Sequence, residues 1–319
     1  MRQVVVIGGT GVIGASVASV ARERGLGVIA LSLDAPEKND FFENIQLDVH
    51  QVVPVVLAEV LAKAVNAQPV ALILDIIGLA APQAAALAAF ATAQKAPVAV
   101  ISSCLLYDHD GTAPVAEDCP LLRLRPESHA YIRDKLAIEA FWHDQAQVDW
   151  RLFRCHHILG AGSTLGCIPN HNRDPQLLAR LRRGEPLELA RNGVISLSWI
   201  HPDDLASAVL TLCANPESSR CAINMAAPEP VRARTYYDTV ARLLGLPSPT
   251  VRCFTPKPTD FWSLTARDNV FVSRHTFCRP LIFQHDIESA IRDALSVPET
   301  EQARRARFLL ARIAGREHR

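Results

Sequence analysis

Much of what usually announces a function is missing from this sequence. Its eight cysteines (Cys104, Cys119, Cys155, Cys167, Cys213, Cys221, Cys253, Cys278) contain no C-x-x-C pair. That excludes the common zinc and dithiol redox motifs and leaves reduced, mostly buried thiols as the reading. Charge of either sign is not in excess: 33 basic side chains balance 33 acidic ones, so no global field recruits nucleic acid or an anionic membrane. A small molecule is the expected partner. No apolar run reaches the length of a membrane span, and the first residues pass into strand-like sequence without a basic leader or cleavage site. A soluble, cytoplasmic protein is expected. Internal repeats and low-complexity tracts are absent too.

What is there is a large folding capacity. Half of the 319 residues (49%) are apolar and only 21% charged, which suits one α/β domain carrying a smaller lobe. From Gln3 to about Phe153, β-branched runs (Val4 to Ile7, Val28 to Leu31, Asn44 to Leu47, Ala71 to Ile77, Val98 to Ser102, Trp150 to Phe153) alternate with helical stretches such as Pro82 to Lys95. Such alternation predicts a doubly wound parallel sheet, the Rossmann arrangement, over residues 1–155. Residues 156–319 read mainly as a substrate-binding lobe, with about 190–215 returning to the first domain. Gly-, Pro- and Asn-rich segments (Gly160 to Arg173, Pro247 to Pro258) separate its short helices Pro175 to Arg183, Asp203 to Ala214 and Thr235 to Leu244. In the basic tail, Arg304 to Arg319, Leu309, Leu310 and Ile313 recur at helical spacing, so an exposed terminal helix is expected.

The turn Gly8-Gly9-Thr10-Gly11-Val12-Ile13-Gly14 follows the first strand directly and opens a helix. A diphosphate bridging two nucleosides needs a tight turn, close backbone approach and unpaired amides at a helix N-terminus, and glycines at 8, 11 and 14 permit all three. At the end of the second strand a carboxylate would select NAD and a basic residue NADP. Counted from Gly8, those positions fall on Ser32 and Leu33. Asp34 could reach the ribose, while Ser32 with Lys38 nearby would tolerate a phosphate, so the balance leans slightly to NADP(H) over NAD(H). Asp48, followed by Val49, offers an acceptor for the adenine amino group. Gly78, past the fourth strand, would let the cofactor approach.

Tyr131 and Lys135 stand four apart on the predicted helix Ala130 to Gln145, on one face. A neighbouring ammonium favours the phenolate and brings the tyrosine toward neutrality, as proton exchange with a substrate oxygen requires. The fifth strand ends in Ser102-Ser103-Cys104-Leu105-Leu106-Tyr107 at the sheet's carboxyl edge, where ligands of such folds sit. Together the glycine turn, Asp48, the Ser-Ser end followed by an aromatic, and Tyr-x-x-x-Lys resemble the extended short-chain dehydrogenase/reductase family, whose members include NAD-dependent epimerases and dehydratases. Arg151 to Arg154, Ile158 to Gly162 and Trp199 to Ala206 (an apolar strand running into a helix capped by Asp203 or Asp204) extend the likeness over roughly residues 3 to 215. The resemblance implies that Tyr131 is the acid/base, that Lys135 lowers its pKa and binds the nicotinamide ribose, and that Ser103 orients the reacting oxygen, with Ser102 the second choice for that role.

This sequence also departs from that family. Leu197 stands where relatives bind a sugar nucleotide's phosphates with an arginine, though Arg191 lies close in sequence. Cys104 and Leu105 replace the acid pair of dehydratases. His156 and His157 replace a proline, aromatic or asparagine and could contact a polar or anionic substrate; as sequence neighbours they do not suit one metal. Trp199, Phe254, Phe261, Trp262, Phe271, His275 and Phe277 are candidate pocket walls, Trp199 among the substrate contacts. These features favour an oxidoreductase acting on a small carbonyl, imine or alcohol, of the kind specialised biosynthesis uses. A nucleotide-sugar epimerase is the alternative, and a non-catalytic NAD(P)-binding regulator a third reading. The Ala-rich helix and the Tyr131 helix would lie side by side, a surface through which relatives pair, so a homodimer is expected.

Overall fold

The computed structural model describes residues 1–112, 114–125, 128–165, 176–255 and 267–298, the side chain of Phe254 excepted. The basic tail, Cys167, Phe261 and Trp262 lie outside the described residues.

Strands buried on both faces read as unbroken apolar runs because both neighbours of each layer are protein. The first half of the chain follows that pattern: β1 (Gln3–Ile7), α1 (Val12–Glu23), β2 (Gly27–Ser32), β3 (Glu37–Lys38), β4 (Phe42–Gln46), α2 (Pro54–Val65), β5 (Val70–Asp75), α3 (Ala81–Gln94), β6 (Val98–Ser103), α4 (Ala130–His143) and β7 (Trp150–Cys155). Every residue of β2, β6 and β7 is buried. Then come β8 (His157–Ile158), α5 (Leu177–Arg182), β9 (Leu187–Ala190), β10 (Ser196–Leu197), β11 (Trp199–Ile200), α6 (Pro202–Cys213), β12 (Cys221–Met225), β13 (Val231–Arg232), α7 (Ala233–Leu243), β14 (Val251–Phe254) and α8 (Ile287–Leu295).

Eight strands form one sheet in the order β12-β7-β6-β5-β1-β2-β4-β3, parallel throughout except for β3, which runs antiparallel to β4. This is the doubly wound Rossmann arrangement that the alternation predicts. The chain leaves β1 toward β2 and β4, then returns to β5 on the other side of β1. Crossover connections at that reversal diverge to opposite faces and open a crevice above the carboxyl ends of β1 and β5. One face, with Ile7, Ile73 and Val100, packs on Leu57 and Leu61 of α2, Leu87 of α3, and Ile138 and Trp142 of α4. The opposite face, with Val6, Leu74 and Ile101, packs on Val17 of α1 and Leu205 and Val209 of α6.

A separate apolar cluster (Leu178, Leu189, Trp199, Tyr236, Val240, Ile291) builds the lobe from α5, β9, β11, α7 and α8. The chain rejoins the large sheet through α6, which packs on α1, and through β12, whose register runs from Cys221 opposite Arg151 to Met225 opposite Cys155. The main-sheet pairing therefore extends past residue 215. α6 is capped not by Asp203 or Asp204 but by His201, whose Nδ1 accepts the Asp203 N–H at 3.2 Å. Pro202 occupies the first helical turn, where its missing N–H is no loss, and the cap falls two residues upstream of Asp203.

Candidate functional site

The glycine turn sits at the switch point. Gly8 has φ +87°, and a Cβ on Gly14 would collide with the Gly9 carbonyl, which locks α1 against the turn. Gly11 differs: a Cβ there would meet nothing nearer than the Gly8 oxygen, 3.7 Å away, so the space before it is open. Gly11 is the N-cap of α1 and supplies no side-chain hydrogen bond to it. Thr10 and Gly11 are exposed, while Val12 and Ile13 are partly buried at the first turn. A bare backbone facing open space at a helix N-terminus fits a dinucleotide diphosphate.

At the adenosine end, Ser32 is buried and its hydroxyl is fully used: Oγ donates to Asn44 Oδ1 at 2.9 Å and accepts from the Asp34 N–H at 3.1 Å. Asn44 Nδ2 donates to the carbonyls of Asp34 and Ala35, which fixes this loop to β4. Asp34 remains exposed. Lys38 is ion-paired with Glu43 at 2.6 Å. Asp48 is exposed and accepts the His50 N–H at 3.1 Å, whereas Val49 is in the core.

On the other side of the crevice, Ser103 ends β6 and its Oγ accepts the Leu105 N–H at 3.2 Å, a contact that leaves the hydroxyl proton to be donated elsewhere. Ser102 points to the opposite face and donates to Glu139 Oε1. Both serines are buried, and what separates them is the hydroxyl proton, which Ser102 gives to Glu139. Lys135 is 6% exposed and its Nζ donates to the Ile101 carbonyl at 2.7 Å. Its ammonium lies against Gly78, where a Cβ would stand 3.1 Å from Nζ. Tyr131 is one turn earlier on α4 and partly buried. His129 caps that helix by accepting the Tyr131 N–H.

His156 follows Cys155, the register partner of Ser103, so it emerges beside that serine. Its Nδ1 lies 3.1 Å from the Ser198 carbonyl, and burial holds its pKa down to about 4. His157 is buried in β8 opposite Trp199. Trp199 is 2% exposed in the lobe core, its indole N–H given to the Glu229 carbonyl. Phe277 packs on the sheet core and stacks on His275. Phe271 does line the region, with the rings of Tyr107, His109 and His156 around it at 6.0, 5.7 and 5.2 Å.

Two groups escape a sequence reading. Arg154 Nε and Nη2 donate to Glu139, and Arg154 Nη1 donates to the Tyr107 hydroxyl, which donates to Asn224 Oδ1 on β12. Burial opposes the Arg154 charge, but Glu139 and Tyr107 more than offset it and hold it charged. Only folding brings residues so far apart in sequence together. The second is Arg267, partly buried beside His109, with no ion pair among the described residues and Nε without a hydrogen-bond partner there. Burial lowers the Arg267 pKa, while Asp108, Asp110 and Cys119 act the other way. His109 is itself held near 4 by burial and by Arg267. Arg191, by contrast, is 62% exposed and lies 3.6 Å from Asp268, and Leu197 is buried in pairing with Val231.

Among the described residues, the atoms of His201, His285 and Asp293 lie within 4.8 Å of one another. Because His201 Nδ1 accepts the α6 cap, its proton resides on Nε2, 3.3 Å from Asp293 Oδ2. A metal there would need that nitrogen's lone pair and would cost the cap.

A family model described as NAD dependent epimerase/dehydratase family matches residues 4–226. No curated protein matches the sequence. Among solved structures, the enzyme WbmH of Bordetella bronchiseptica in complex with NAD+ superposes with a TM-score of 0.71 at 16% identity, covering 93% of this chain and 98% of that one. The UDP-glucose-4-epimerase of Stenotrophomonas maltophila, with bound NAD and formylated UDP-arabinopyranose, gives 0.71 at 17% identity over 97% and 100% of the two chains. A dTDP-glucose 4,6-dehydratase of Bacillus anthracis in complex with NAD gives 0.69 at 13% over 93% and 96%.

Proposed function

We start from the fact that this chain belongs to the NAD dependent epimerase/dehydratase family, and propose that it is an NAD-linked enzyme that oxidises and re-reduces a carbinol carbon of a nucleotide sugar, an epimerase in type. The observation that carries the reading is Arg267: a partly buried guanidinium without an ion pair among the described residues, beside His109, whose ring contacts Phe271 and through it His156. A cation left so in a partly desolvated place is stabilised by an anionic ligand. The epimerase neighbour, with its UDP-sugar, supports the same substrate class. Dehydration fits less well, because Cys104 and Leu105 follow Ser103 where an acid pair would be needed.

The proposed roles are these. Tyr131 takes the proton from the substrate hydroxyl and later returns it to the carbonyl oxygen; Lys135 favours its phenolate. Ser103, with Oγ accepting from Leu105, donates its proton to the same oxygen. Hydride acceptance from the carbinol carbon and its return are the chemistry that NAD would supply when bound. Gly11, Val12 and Ile13 would hold its diphosphate, Asp34 its adenosine ribose and Asp48 its adenine. The sequence alone leans to NADP; the pairing of Lys38 with Glu43, in a stretch that also carries Asp34, Glu37 and Asp40, supports NAD(H) instead, since a 2′-phosphate there would meet mostly carboxylates.

A second reading, reduction of a small carbonyl, is favoured by one observation: Leu197 is wholly buried and offers no cation to a diphosphate. Thermal unfolding separates the two, because a ligand that binds only the native state must raise stability by an amount set by its concentration over Kd. NAD or NADH is expected to protect more than NADP or NADPH, and UDP- or dTDP-sugars to add protection that Arg267→Met removes. Protection by nicotinamide cofactors with none from any nucleotide sugar would overturn the sugar assignment and leave the small-carbonyl reading.

A further inference from the structure

The carboxyl end of β5 carries a charge that the roles above do not use. Asp75 is fully buried, between its register partners Ile7 on β1 and Val100 on β6. Both oxygens are engaged by the turn it opens: Oδ1 accepts the Gly78 N–H at 2.8 Å and Oδ2 the Leu79 N–H at 2.7 Å. That turn sets Gly78 at φ +75°, and it is against Gly78 that the Lys135 ammonium rests. A side chain at 78 would press on Ile138 and on Nζ. The carboxylate that shapes the turn thereby makes the room in which the ammonium sits.

Among the described residues, three other groups lie near Lys135 in other states. Cys155, from β7, has its thiol pushed up to about 12 by burial and is neutral. Glu139, one turn on along α4, is occupied by Arg154 and Ser102. Tyr131, one turn back, is neutral when protonated. Among the described residues, Lys135 is the cation whose charge acts on Asp75. Burial holds its pKa above the usual carboxylate range, outweighing the Leu79 N–H, the Lys135 charge and the Gly78 N–H, which favour the anion.

We propose that Asp75 is a positioning residue for Lys135: it holds the turn that admits the ammonium, keeps that ammonium protonated, and so sets the proton affinity of Tyr131. The inference rests on the reading of Tyr131 and Lys135 as the proton-transfer pair. Its sign is fixed. Without the Asp75 charge, Lys135 loses its proton at lower pH, and while still protonated it pulls the Tyr131 phenol down unopposed. Both limbs of a pH profile move toward acid.

The test is a titration of phenolate absorbance on the whole chain, with and without NAD. Subtracting Tyr131→Phe isolates Tyr131 from the other three tyrosines. Asp75→Asn should move the Tyr131 titration down by on the order of one pH unit; an unmoved titration in folded Asp75→Asn overturns the proposal. Should that variant fail to fold, Lys135→Met serves, read by carbon NMR of the Asp75 carboxyl. Coupling is reciprocal, so removing the ammonium must raise the Asp75 pKa. An unchanged value, or an Asp75 protonated at neutral pH in the unaltered protein, overturns it as well. Neither titration needs a substrate. Failure of every nucleotide sugar with the Tyr131 shift present would sink the sugar assignment alone, and sugar turnover with no shift would sink this inference alone.

Discussion

At the scale of single residues, the two serines at the end of β6 illustrate how one peptide step changes a role. Successive side chains of a strand point to opposite faces. Ser102 therefore reaches Glu139 of α4, and Ser103, equally buried, points to the other face with its Oγ accepting the Leu105 N–H. Ser103→Ala should lower kcat by about 10²-fold or more, as removal of a transition-state donor does, with a stability cost of about 1 kcal/mol from the lost Leu105 N–H contact. Ser102→Ala should instead cost about 1–3 kcal/mol because the Glu139 carboxylate loses a buried donor, with kcat per folded molecule preserved. Steady-state kinetics beside urea melts would check both, and a loss of kcat in Ser102→Ala at unchanged stability would exchange their roles. Sequence narrows the choice to this pair by their place before Cys104 to Tyr107; it does not divide them, because the divider, Glu139, is 37 residues away.

At the scale of elements, the glycine turn performs two jobs that different glycines carry. Gly14 is pressed on the Gly9 carbonyl, so Gly14→Ala forces α1 away from β1. Gly11 has open space before it and φ −76°, a value any residue adopts. Gly11→Ala is accordingly expected to fold with a melting temperature within a few degrees of the unaltered protein but to bind NAD at least tenfold more weakly, because the methyl occupies the approach to the helix amides. Gly14→Ala should lose its cooperative melt. Calorimetry and a cofactor titration by fluorescence distinguish the two; equal NAD affinity in Gly11→Ala would place the diphosphate elsewhere. The turn was legible in sequence because strand, glycines and helix are contiguous. The cap of α6 by His201 was less so: a histidine ring can accept from the backbone, but the acids that follow it are the commoner caps.

At the scale of the whole molecule, neutral histidines are spread through both parts of the fold. Burial holds His109 and His156 near 4 and lowers His201, in each case as the largest influence. In an unfolded chain these rings take a proton at about pH 6.5. The stability they confer as neutral groups is thus complete above that pH and is lost as pH falls toward 4, at up to about 1.4 kcal/mol per pH unit for each ring fully titrating only in the unfolded state. Thermal melts between pH 7 and pH 5 should show this decline, and His156→Gln should remove part of it. A melting temperature flat across that range would contradict the burial of these rings as neutral groups.

The doubly wound sheet, the glycine turn, and the placing of Tyr131 and Lys135 one helical turn apart were determined by the sequence itself, because period, glycine spacing and helical register are local properties that neighbours along the chain specify. Tertiary structure alone decided the rest. It joined β12 to β7, ran Glu139, Arg154, Tyr107 and Asn224 into one hydrogen-bonded line, set Arg267 beside His109 without an ion pair among the described residues, and set the Asp75 turn against Lys135. The physical reason is the same in each case. The worth of a buried charge depends on what surrounds it, and its surroundings come from strands and helices that meet only when the sheet has formed.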